Sequence, residues 1–407
     1  MTTNWAGNIT FGATALHRPT SVAELQELVA GARQVRALGS GHSFNRIADT
    51  AGVQVSLAAL PRRVEIGDGE VTVSAGLRYG ELVADLDAAG LALLNMGSLP
   101  HIVAAGAAAT GTHGSGDANK VLAAAVSAVE LVGADAEVRT LRRGERGFPG
   151  AVISLGALGI VTAMTLEVQP AFGMRQWVYE GLRGFDGVDE VLSAAYSVSL
   201  YTHWRGDGFE QVWVKQRDTE PEPPARWMGM TRAPAQVHPV GGDPAQCTSQ
   251  LGQPGRWYEV LPHFRLEFTP SSGDELQSEY FVPRAALEDA LRALDGVRER
   301  LAPALMVAEV RSIAADDLWL SPAQGRDTIA LHFTWFPEEG PARQAVAAVE
   351  EALAPLDARP HWGKVFATPP ERVARLWPHL PDAVALMHEH DPEGKFRNTM
   401  LDTYLPR

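Results

Sequence analysis

The stretch Gly39-Ser-Gly-His-Ser43 follows the short apolar run Val35–Leu38, which predicts a strand that ends at the first glycine. Two further glycine clusters lie in the first half of the chain, at 111–116 and 156–159. Glycine permits positive φ and close backbone approach, and successive N–H groups can then form a nest for a phosphate. One such cluster alone is a tight turn. Three clusters in one part of the chain indicate a site for the diphosphate of a cofactor.

The first cluster does not match the fingerprint of nicotinamide-binding Rossmann domains. Gly39 and Gly41 fit its first two glycines, but Phe44 stands where the third is required. In addition, no clear helix is predicted to begin at this point. A dinucleotide site of another kind is therefore expected.

Composition and charge exclude several classes of protein. Of the 407 residues, 45% are apolar and 21% are charged, as in folded globular proteins, and no run of apolar residues is long enough for a membrane span. The formal charge of −14 argues against broad binding to nucleic acid. The single cysteine, Cys247, excludes an intrachain disulfide and a cysteine zinc cluster. The first ten residues lack the pattern of a signal peptide, so we expect a cytoplasmic protein without a membrane partner.

Secondary-structure patterns predict an α+β chain with a break near Pro170. The first part is mixed, and its capping-box pattern from Ser21 to Glu24 predicts a helix that ends near Gly31. A proline-rich stretch, 218–247, predicts a long exposed loop. The later part predicts an antiparallel sheet with helices on one face: strands at 256–270, 278–282, 305–313 and 328–336, and helices at 285–301 and 342–353.

Several motifs, in this order along the chain, resemble the vanillyl-alcohol-oxidase superfamily of FAD-linked oxidoreductases. The first is the glycine stretch itself, extended to Phe44 and Asn45. The others are the second flavin motif and two C-terminal signatures: Met96–Gly106 continuing to Thr110–Gly116, His361–Lys364 and Asp391–Asn398. Further segments are similar to the alditol oxidase (xylitol/sorbitol oxidase) branch: Asn4–Thr10, Tyr196–Leu200, Glu267–Gly273, Ser278–Tyr280, Glu309–Arg311 and Leu331–Trp335.

The resemblance implies a two-domain fold of the PCMH type. Residues 1–172 would form the FAD-binding domain, completed by the C-terminal segment 358–407. Residues 173–357 would form the substrate domain, built on an antiparallel sheet flanked by helices.

The resemblance also implies FAD as the cofactor, attached by a single covalent bond through His42. Some relatives carry a second tether through cysteine, but Cys247 matches no such motif. Val103 departs from the serine expected at its position and removes one hydroxyl contact to FAD. The expected FAD-binding residues are Leu38, Gly39, Ser40, Gly41, His42, Ser43, Ser98, Val103, Gly106, Thr110, Gly111, Thr112, His113, Ile160 and His361.

Two pairs of polar residues on predicted strands form the candidate substrate site. Glu309 and Arg311 share one face of their strand, as do His332 and Thr334 of theirs, because side chains alternate with period two. By themselves the first two are a structural ion pair. The resemblance instead implies a polyol site, with the substrate-binding residues Ser98, Glu309, Arg311, Thr334 and Lys364.

The implied reaction is oxidation of the terminal primary alcohol of an acyclic polyol to the aldose, with hydride transfer to flavin N5 and reoxidation by O2 to H2O2. Arg311, Lys364 and His332 would be the catalytic residues, and the base is left open between His332 and Lys364. Gly97 would leave a path for oxygen beside the flavin.

Two other functions remain as alternatives, a sugar-1,4-lactone oxidase or dehydrogenase of the same superfamily and a flavin-binding protein without catalysis. The expected partners are a small polyol and O2, and we expect a monomer. His388 and His390 are spaced like two metal ligands, but without further ligands they indicate a solvated helix end and no metal site.

Overall fold

A computed structural model describes residues 2–268 and 273–406. The first part of the chain forms two sheets, a three-stranded parallel sheet of order β1-β3-β2 and an antiparallel sheet of order β4-β5-β9-β7-β8, in which β6 also pairs with β9. The strands are β1 (Ala15–His17), β2 (Val35–Ala37), β3 (Val53–Val55), β4 (Val64–Ile66), β5 (Glu70–Ser74), β6 (Leu91–Leu93), β7 (Val126–Val132), β8 (Val138–Arg142) and β9 (Ile160–Pro170). The helices are α1 (Val22–Gly31), α2 (Tyr79–Ala88), α3 (Ala104–Ala109) and α4 (Phe148–Val152).

Helix α1 begins where the capping-box pattern predicts. Ser21 Oγ accepts a hydrogen bond from the Glu24 amide at 3.1 Å, which satisfies one of the free N–H groups of the first turn. Leu25 and Val29 lie one turn apart on the buried face and pack against β2 and β3.

The second part is built on one large antiparallel sheet of order β13-β14-β10-β12-β11-β17-β18-β16-β19, with β15 paired to β10. Its strands are β10 (Gly173–Leu182), β11 (Ser197–Thr202), β12 (Phe209–Arg217), β13 (Arg226–Trp227), β14 (Met230–Arg232), β15 (Gly255–Arg256), β16 (Leu276–Pro283), β17 (Leu305–Ile313), β18 (Thr328–Trp335) and β19 (Arg359–Pro360). The helices are α5 (Val188–Leu192), α6 (Trp257–Val260), α7 (Leu287–Asp295), α8 (Arg298–Leu301) and α9 (Glu339–Leu353). Together the two parts give the predicted α+β class.

One face of the large sheet forms an apolar core with α7, α8 and α9. Leu200, Val310 and Leu331 come from neighbouring strands and pack with helix residues such as Leu291 and Val346. Because side chains alternate along a strand, the polar residues of these strands lie together on the opposite face.

Two predictions in this part are wrong. The predicted strand 256–270 begins with helix α6, which Glu259 caps by accepting a hydrogen bond from the Arg256 amide at 2.9 Å, and Pro262 has no N–H for a strand ladder. Residues 269 and 270 of this prediction, and 269–272 of the motif that ends at Gly273, lie outside the described residues. The predicted helix 285–301 is interrupted at Gly296 and continues as the short helix α8.

The predicted loop 218–247 is mostly exposed, but it carries the hairpin β13–β14, and its end lines a cavity described below.

The C-terminal segment contains α10 (Pro370–Leu376), α11 (Leu380–His390) and α12 (Thr399–Tyr404) and packs on the first part of the chain. Phe396 lies in the core of α1 and β2, and the Val35 amide donates to the Lys395 carbonyl at 2.9 Å. The Asn398 side-chain amide donates to the carbonyls of Arg46, Ile47 and Asp49 at 2.9–3.1 Å. No helix among the described residues is long and apolar enough to cross a membrane.

Candidate active site

A cavity of about 1100 Å³ runs between the glycine loops of the first part and the polar face of the large sheet. Ordinary small-molecule sites measure roughly 300–1000 Å³, so this cavity has room for a dinucleotide and a substrate together. Gly39–Phe44 line one side, and Glu309, Arg311 and His332 line the sheet side.

The glycine stretch is fixed by bonds to distant parts of the chain. Gly41 has a φ of +68°, a conformation that favours glycine, and its carbonyl accepts from the Trp5 amide at 2.8 Å. Phe44 donates to the Gly363 carbonyl at 2.7 Å, and the Asn45 side chain donates to the Lys364 carbonyl at 2.8 Å. These contacts hold the first predicted motif against the C-terminal signature His361–Lys364 at the cavity wall.

His42 is buried in this stretch. Its ring stacks on Trp5 with centroids 4.2 Å apart, and its Nε2 has no hydrogen-bond partner among the described residues. Burial lowers the pKa of His42 to about 4, and the positive charge of Lys364 adds to this effect. The ring is therefore neutral at pH 7, with a lone pair free for bonding.

Strand pairing brings four of the predicted residues to one surface. Glu309 on β17 lies opposite His332 on β18, which in turn lies opposite Glu279 on β16. Arg311 and Thr334 are two residues away along the same strands and therefore point to the same face. All of these side chains are buried.

Glu279 is the centre of this polar surface. Its carboxylate accepts hydrogen bonds from Arg311 Nη2 at 2.8 Å and from Lys364 Nζ at 2.7 Å, and it lies 3.1 Å from His113 Nε2. Burial alone would raise the pKa of Glu279, but the charges of Lys364 and Arg311, together with the contact to His113, hold it well below its ordinary value. The buried carboxylate is thus ionised and compensates two cations.

Lys364 also contacts His332. Lys364 Nζ lies 2.6 Å from His332 Nδ1, and His332 Nε2 lies 3.2 Å from Thr334 Oγ1. Burial lowers the pKa of His332 to about 4, again with a contribution from the charge of Lys364. Arg311 Nη1 donates to Ser98 Oγ at 3.3 Å, which joins the second predicted flavin motif to the sheet.

Glu309 has its own set of partners. Its Oε1 accepts hydrogen bonds from His263 Nε2 at 2.7 Å and from the Tyr201 hydroxyl at 3.2 Å, and it lies 3.5 Å from Arg311 Nε. The charge of Arg311 and the hydrogen bond from His263 outweigh burial and keep the pKa of Glu309 well below its ordinary value.

Most of the predicted site residues line the cavity. They are Leu38, Gly39, Ser40, Gly41, His42, Ser43, Ser98, Val103, Gly106, Thr110, Thr112, His113, Glu309, Arg311, His332, Thr334, His361 and Lys364.

Three predicted residues lie behind the cavity wall. Gly111 has a φ of +74° and turns the chain against Pro322, and Ile160 is fully buried beside the lining residues Gly159 and Val161. Gly97 is buried as well, and a Cβ placed on it would lie 3.5 Å from Thr112 Cγ2.

The sequence did not identify Glu279, His263, Tyr201 and Lys215 as site residues. Glu279 was visible only as part of a motif, and its partners depend on the pairing of β16 with β18, which local patterns do not encode. His263 lies in the stretch that was wrongly predicted as a strand. His388 and His390 lie in the last turn of α11, and in residues 2–268 and 273–406 no group of three His, Cys, Asp or Glu side chains is arranged to hold a metal ion.

The cavity fits FAD. A Cβ on Gly106 would enter open space, so that the backbone there is accessible to a ligand. The glycine stretch turns at Gly41 with positive φ, and His42 presents an unpartnered nitrogen from the same loop.

Comparison with known proteins agrees with this fit. A family model described as FAD binding domain matches residues 13–142, and one described as D-arabinono-1,4-lactone oxidase matches residues 274–404. The structure superposes on a cholesterol oxidase from B. sterolicum and on a solvent-stable cholesterol oxidase, with TM-scores of 0.76 and 0.77 over 99% of this chain and 96% of each of theirs. The identities are 14% and 15%, so this likeness concerns the fold alone. Fold and site define an FAD-linked oxidoreductase of the PCMH-type fold.

Within that class, the chain belongs to the alditol oxidase family. An alditol oxidase from a Streptomyces species is 51% identical over 98% of this chain and 97% of its own length. An L-gulono-1,4-lactone dehydrogenase from Mycobacterium tuberculosis is 32% identical over 97% of this chain and 96% of its own, and the L-gulonolactone oxidase of Bos taurus is 25% identical over 98% and 97%. The family predicted from the motifs is confirmed.

Proposed function

We propose that this protein oxidises the terminal primary alcohol of alditols such as xylitol and sorbitol to the aldose and reduces O2 to H2O2. The observation that carries the proposal is the buried polar surface in which Glu279 joins Arg311 and Lys364 beside the carboxylate of Glu309. This surface offers donors and acceptors at close spacing, as a chain of hydroxyl groups requires. The 51% identity to an alditol oxidase supports the same assignment.

The chain would hold FAD between the two parts of the structure. Residues 1–172 with 358–407 form the proposed FAD-binding domain, and residues 173–357 form the substrate domain. His42 is the residue through which FAD would be bound covalently, since its neutral ring carries a free lone pair. When bound, FAD supplies the acceptor for a hydride and returns the electrons to O2.

Arg311, Lys364 and Ser98 would orient the reacting hydroxyl. The guanidinium and the ammonium are held by the Glu279 carboxylate, so both are positioned before substrate arrives. Glu309 and Thr334 would accept hydrogen bonds from hydroxyl groups further along the polyol.

Lys364 and His332 would take up the hydroxyl proton together. The 2.6 Å contact between Lys364 Nζ and His332 Nδ1 allows a proton taken by either group to be passed to the other. Burial lowers the pKa of Lys364 as well as that of His332, although Glu279 opposes the shift of the lysine. The Lys364 ammonium can give one proton to His332 Nδ1 and take up the hydroxyl proton in its place, so the pair acts as one proton acceptor in the proposed mechanism.

Peroxide release from a panel of substrates tests the proposal. We expect turnover with xylitol and sorbitol, with one aldose formed per H2O2, and slower turnover with sugar-1,4-lactones. Faster turnover with L-gulono-1,4-lactone than with any alditol would replace this function by that of the lactone-oxidising relatives.

A further inference from the structure

A further buried lysine, Lys215, lies outside the proposed catalytic group, behind the substrate end of the cavity. Burial lowers its pKa to about 7, and the charge of Glu309 opposes this shift. Lys215 on β12 is only 1% exposed, and its ammonium donates to the carbonyls of Leu261 and Pro262, both at 2.7 Å. Its third neighbour is His263 Nδ1, at 3.1 Å. These three acceptors match the three N–H donors of a lysine ammonium.

This arrangement fixes the tautomer of His263. Because Nδ1 accepts from Lys215, the ring proton of the neutral imidazole must be on Nε2. Burial lowers the pKa of His263 to about 4, with the charge of Lys215 adding to it, so the ring is neutral at pH 7. His263 Nε2–H therefore donates to Glu309 Oε1 at 2.7 Å.

Two further contacts make this end of the site rigid. The His263 amide donates to the Ser98 carbonyl at 3.0 Å, and the Tyr201 hydroxyl donates to the same oxygen of Glu309 as His263 does. Within the described residues, every hydrogen bond to the Glu309 carboxylate ends on Oε1. The second oxygen, Oε2, keeps its capacity to accept a hydrogen bond at the cavity.

We propose that Lys215 and His263 are positioning residues for substrate. They hold one oxygen of Glu309 so that the other accepts a hydroxyl of the polyol, away from the reacting carbon. The inference rests on the proposed alditol oxidation and deepens it, since it assigns binding of the polyol chain to a row of three residues, Lys215, His263 and Glu309.

A double-mutant cycle in the flavin-loaded protein tests whether Lys215 acts through Glu309. Lys215→Met should raise the xylitol concentration that half-saturates anaerobic flavin reduction by about tenfold, as expected for a lost charge-assisted hydrogen bond, while the limiting rate changes little. In the Glu309→Gln background, Lys215→Met should change the half-saturating xylitol concentration less than about twofold. Substitutions of residues that act as one unit do not have additive effects. An equal factor in both backgrounds, or no effect in either, would overturn the proposal.

Matched variants separate positioning from a general loss of stability. Lys395→Met removes the bond of a partly buried lysine to a carbonyl, Val29 O at 2.7 Å, and should leave xylitol binding unchanged. His263→Gln keeps a donor for Glu309 and should bind xylitol nearly as the parent does, whereas His263→Leu should resemble Lys215→Met. If Lys215→Met fails to fold, His263→Gln and His263→Leu decide the question. Equal losses of xylitol binding in these two variants would contradict a positioning role.

The alditol assignment itself is tested by the parent protein. If the parent reduces its flavin with L-gulono-1,4-lactone and not with xylitol, the proposed function fails, and the same variants are measured with the lactone. An effect of Lys215→Met that depends on Glu309 would then still support positioning by this row.

Discussion

Among single residues, His42 combines burial with an unused bonding capacity. A buried nitrogen without a partner is costly unless something else satisfies it. The stacking on Trp5 fixes the ring, and Gly41 beside it turns the chain with a φ of +68°. Both features are explained if a cofactor completes the site at this position.

We predict that the flavin stays attached to the protein after acid precipitation. His42→Ala should release all of its flavin under the same conditions and reduce its flavin with xylitol more slowly. The absorbance of the supernatant and of the redissolved protein measures the two fractions. Complete release of FAD from the unmodified protein would contradict covalent attachment.

In the proposed reaction, Arg311 and Lys364 act on the substrate as preorganised donors. Arg311→Ala and Lys364→Ala should each slow anaerobic flavin reduction by more than about a hundredfold, in line with the loss of one aligned charged donor. Stopped-flow reduction by xylitol measures this rate. Arg343→Ala, which removes an exposed ion pair with Glu339, should leave the rate unchanged. A nearly normal rate in either cavity variant would exclude that residue from the reacting centre.

At the scale of elements, the polar surface exists because of how three strands pair. Period-two alternation was enough to place Glu309 with Arg311 and His332 with Thr334. It could not place Glu279, because that position depends on β16 pairing with β18 across about fifty residues of chain. Strand pairing over such distances is set by the whole fold.

Local sequence patterns predicted correctly those elements that are determined by interactions between residues close in sequence. Ser21 predicted the start of α1 through its own side chain, and the alternation of β17 gave its bounds, 305–313, correctly. The stretch around His263 was misread because Trp257, Val260 and Leu261 resemble a strand by composition, although a capped helical turn and Pro262 decide its structure. Lys215 carried no signal, since a single lysine in an apolar strand gives no indication of its partners.

The loop after β6 carries Gly97, and the structure limits how a substitution at this position can act. Gly97 does not have positive φ, so a side chain there meets no backbone strain, and an alanine Cβ would lie at ordinary contact distances from Thr112, His113 and Leu122. We predict that Gly97→Val slows reoxidation of the reduced flavin by O2 several-fold, because its added methyl groups press on this wall, while Gly97→Ala has a smaller effect. Stopped-flow reoxidation measures both variants, with flavin content as the control. Equal rates in all three proteins would show that Gly97 has no part in oxygen access.

On the scale of the whole molecule, the cavity joins the two parts of the chain through buried charge. Glu279, Arg311 and Glu309 come from the large sheet, whereas His113 and Ser98 come from loops of the first part and Lys364 from the C-terminal segment. The two parts are thus held together by buried ion pairs and hydrogen bonds. This arrangement makes the stability of the protein depend on pH.

Buried histidines predict lower stability in acid. His263 and His332 have pKa values of about 4 in the folded protein, below the ordinary value of 6.5, so the unfolded chain binds more protons between these limits. Stability is therefore lost as the pH falls from 6.5 towards 4, by about 2 kcal/mol per histidine at pH 5. Thermal unfolding at pH 7 and pH 5 measures the difference.

Variants identify the source of that difference. His263→Gln should reduce the change in Tm between pH 7 and pH 5, whereas His388→Gln, on the exposed end of α11, should leave it unchanged. A Tm that stays constant or rises from pH 7 to pH 5 in the parent protein would contradict the assignment of neutral buried histidines.

The most direct test of the central claim is a single turnover without oxygen. The flavin-loaded protein is mixed anaerobically with xylitol or with L-gulono-1,4-lactone, and the visible absorbance of the flavin is followed. The account predicts rapid bleaching by xylitol, slow or no bleaching by the lactone, and one H2O2 per flavin when air is admitted. Bleaching by the lactone alone, or by neither compound, would contradict alditol oxidation at the surface formed by Glu279, Glu309, Arg311 and Lys364.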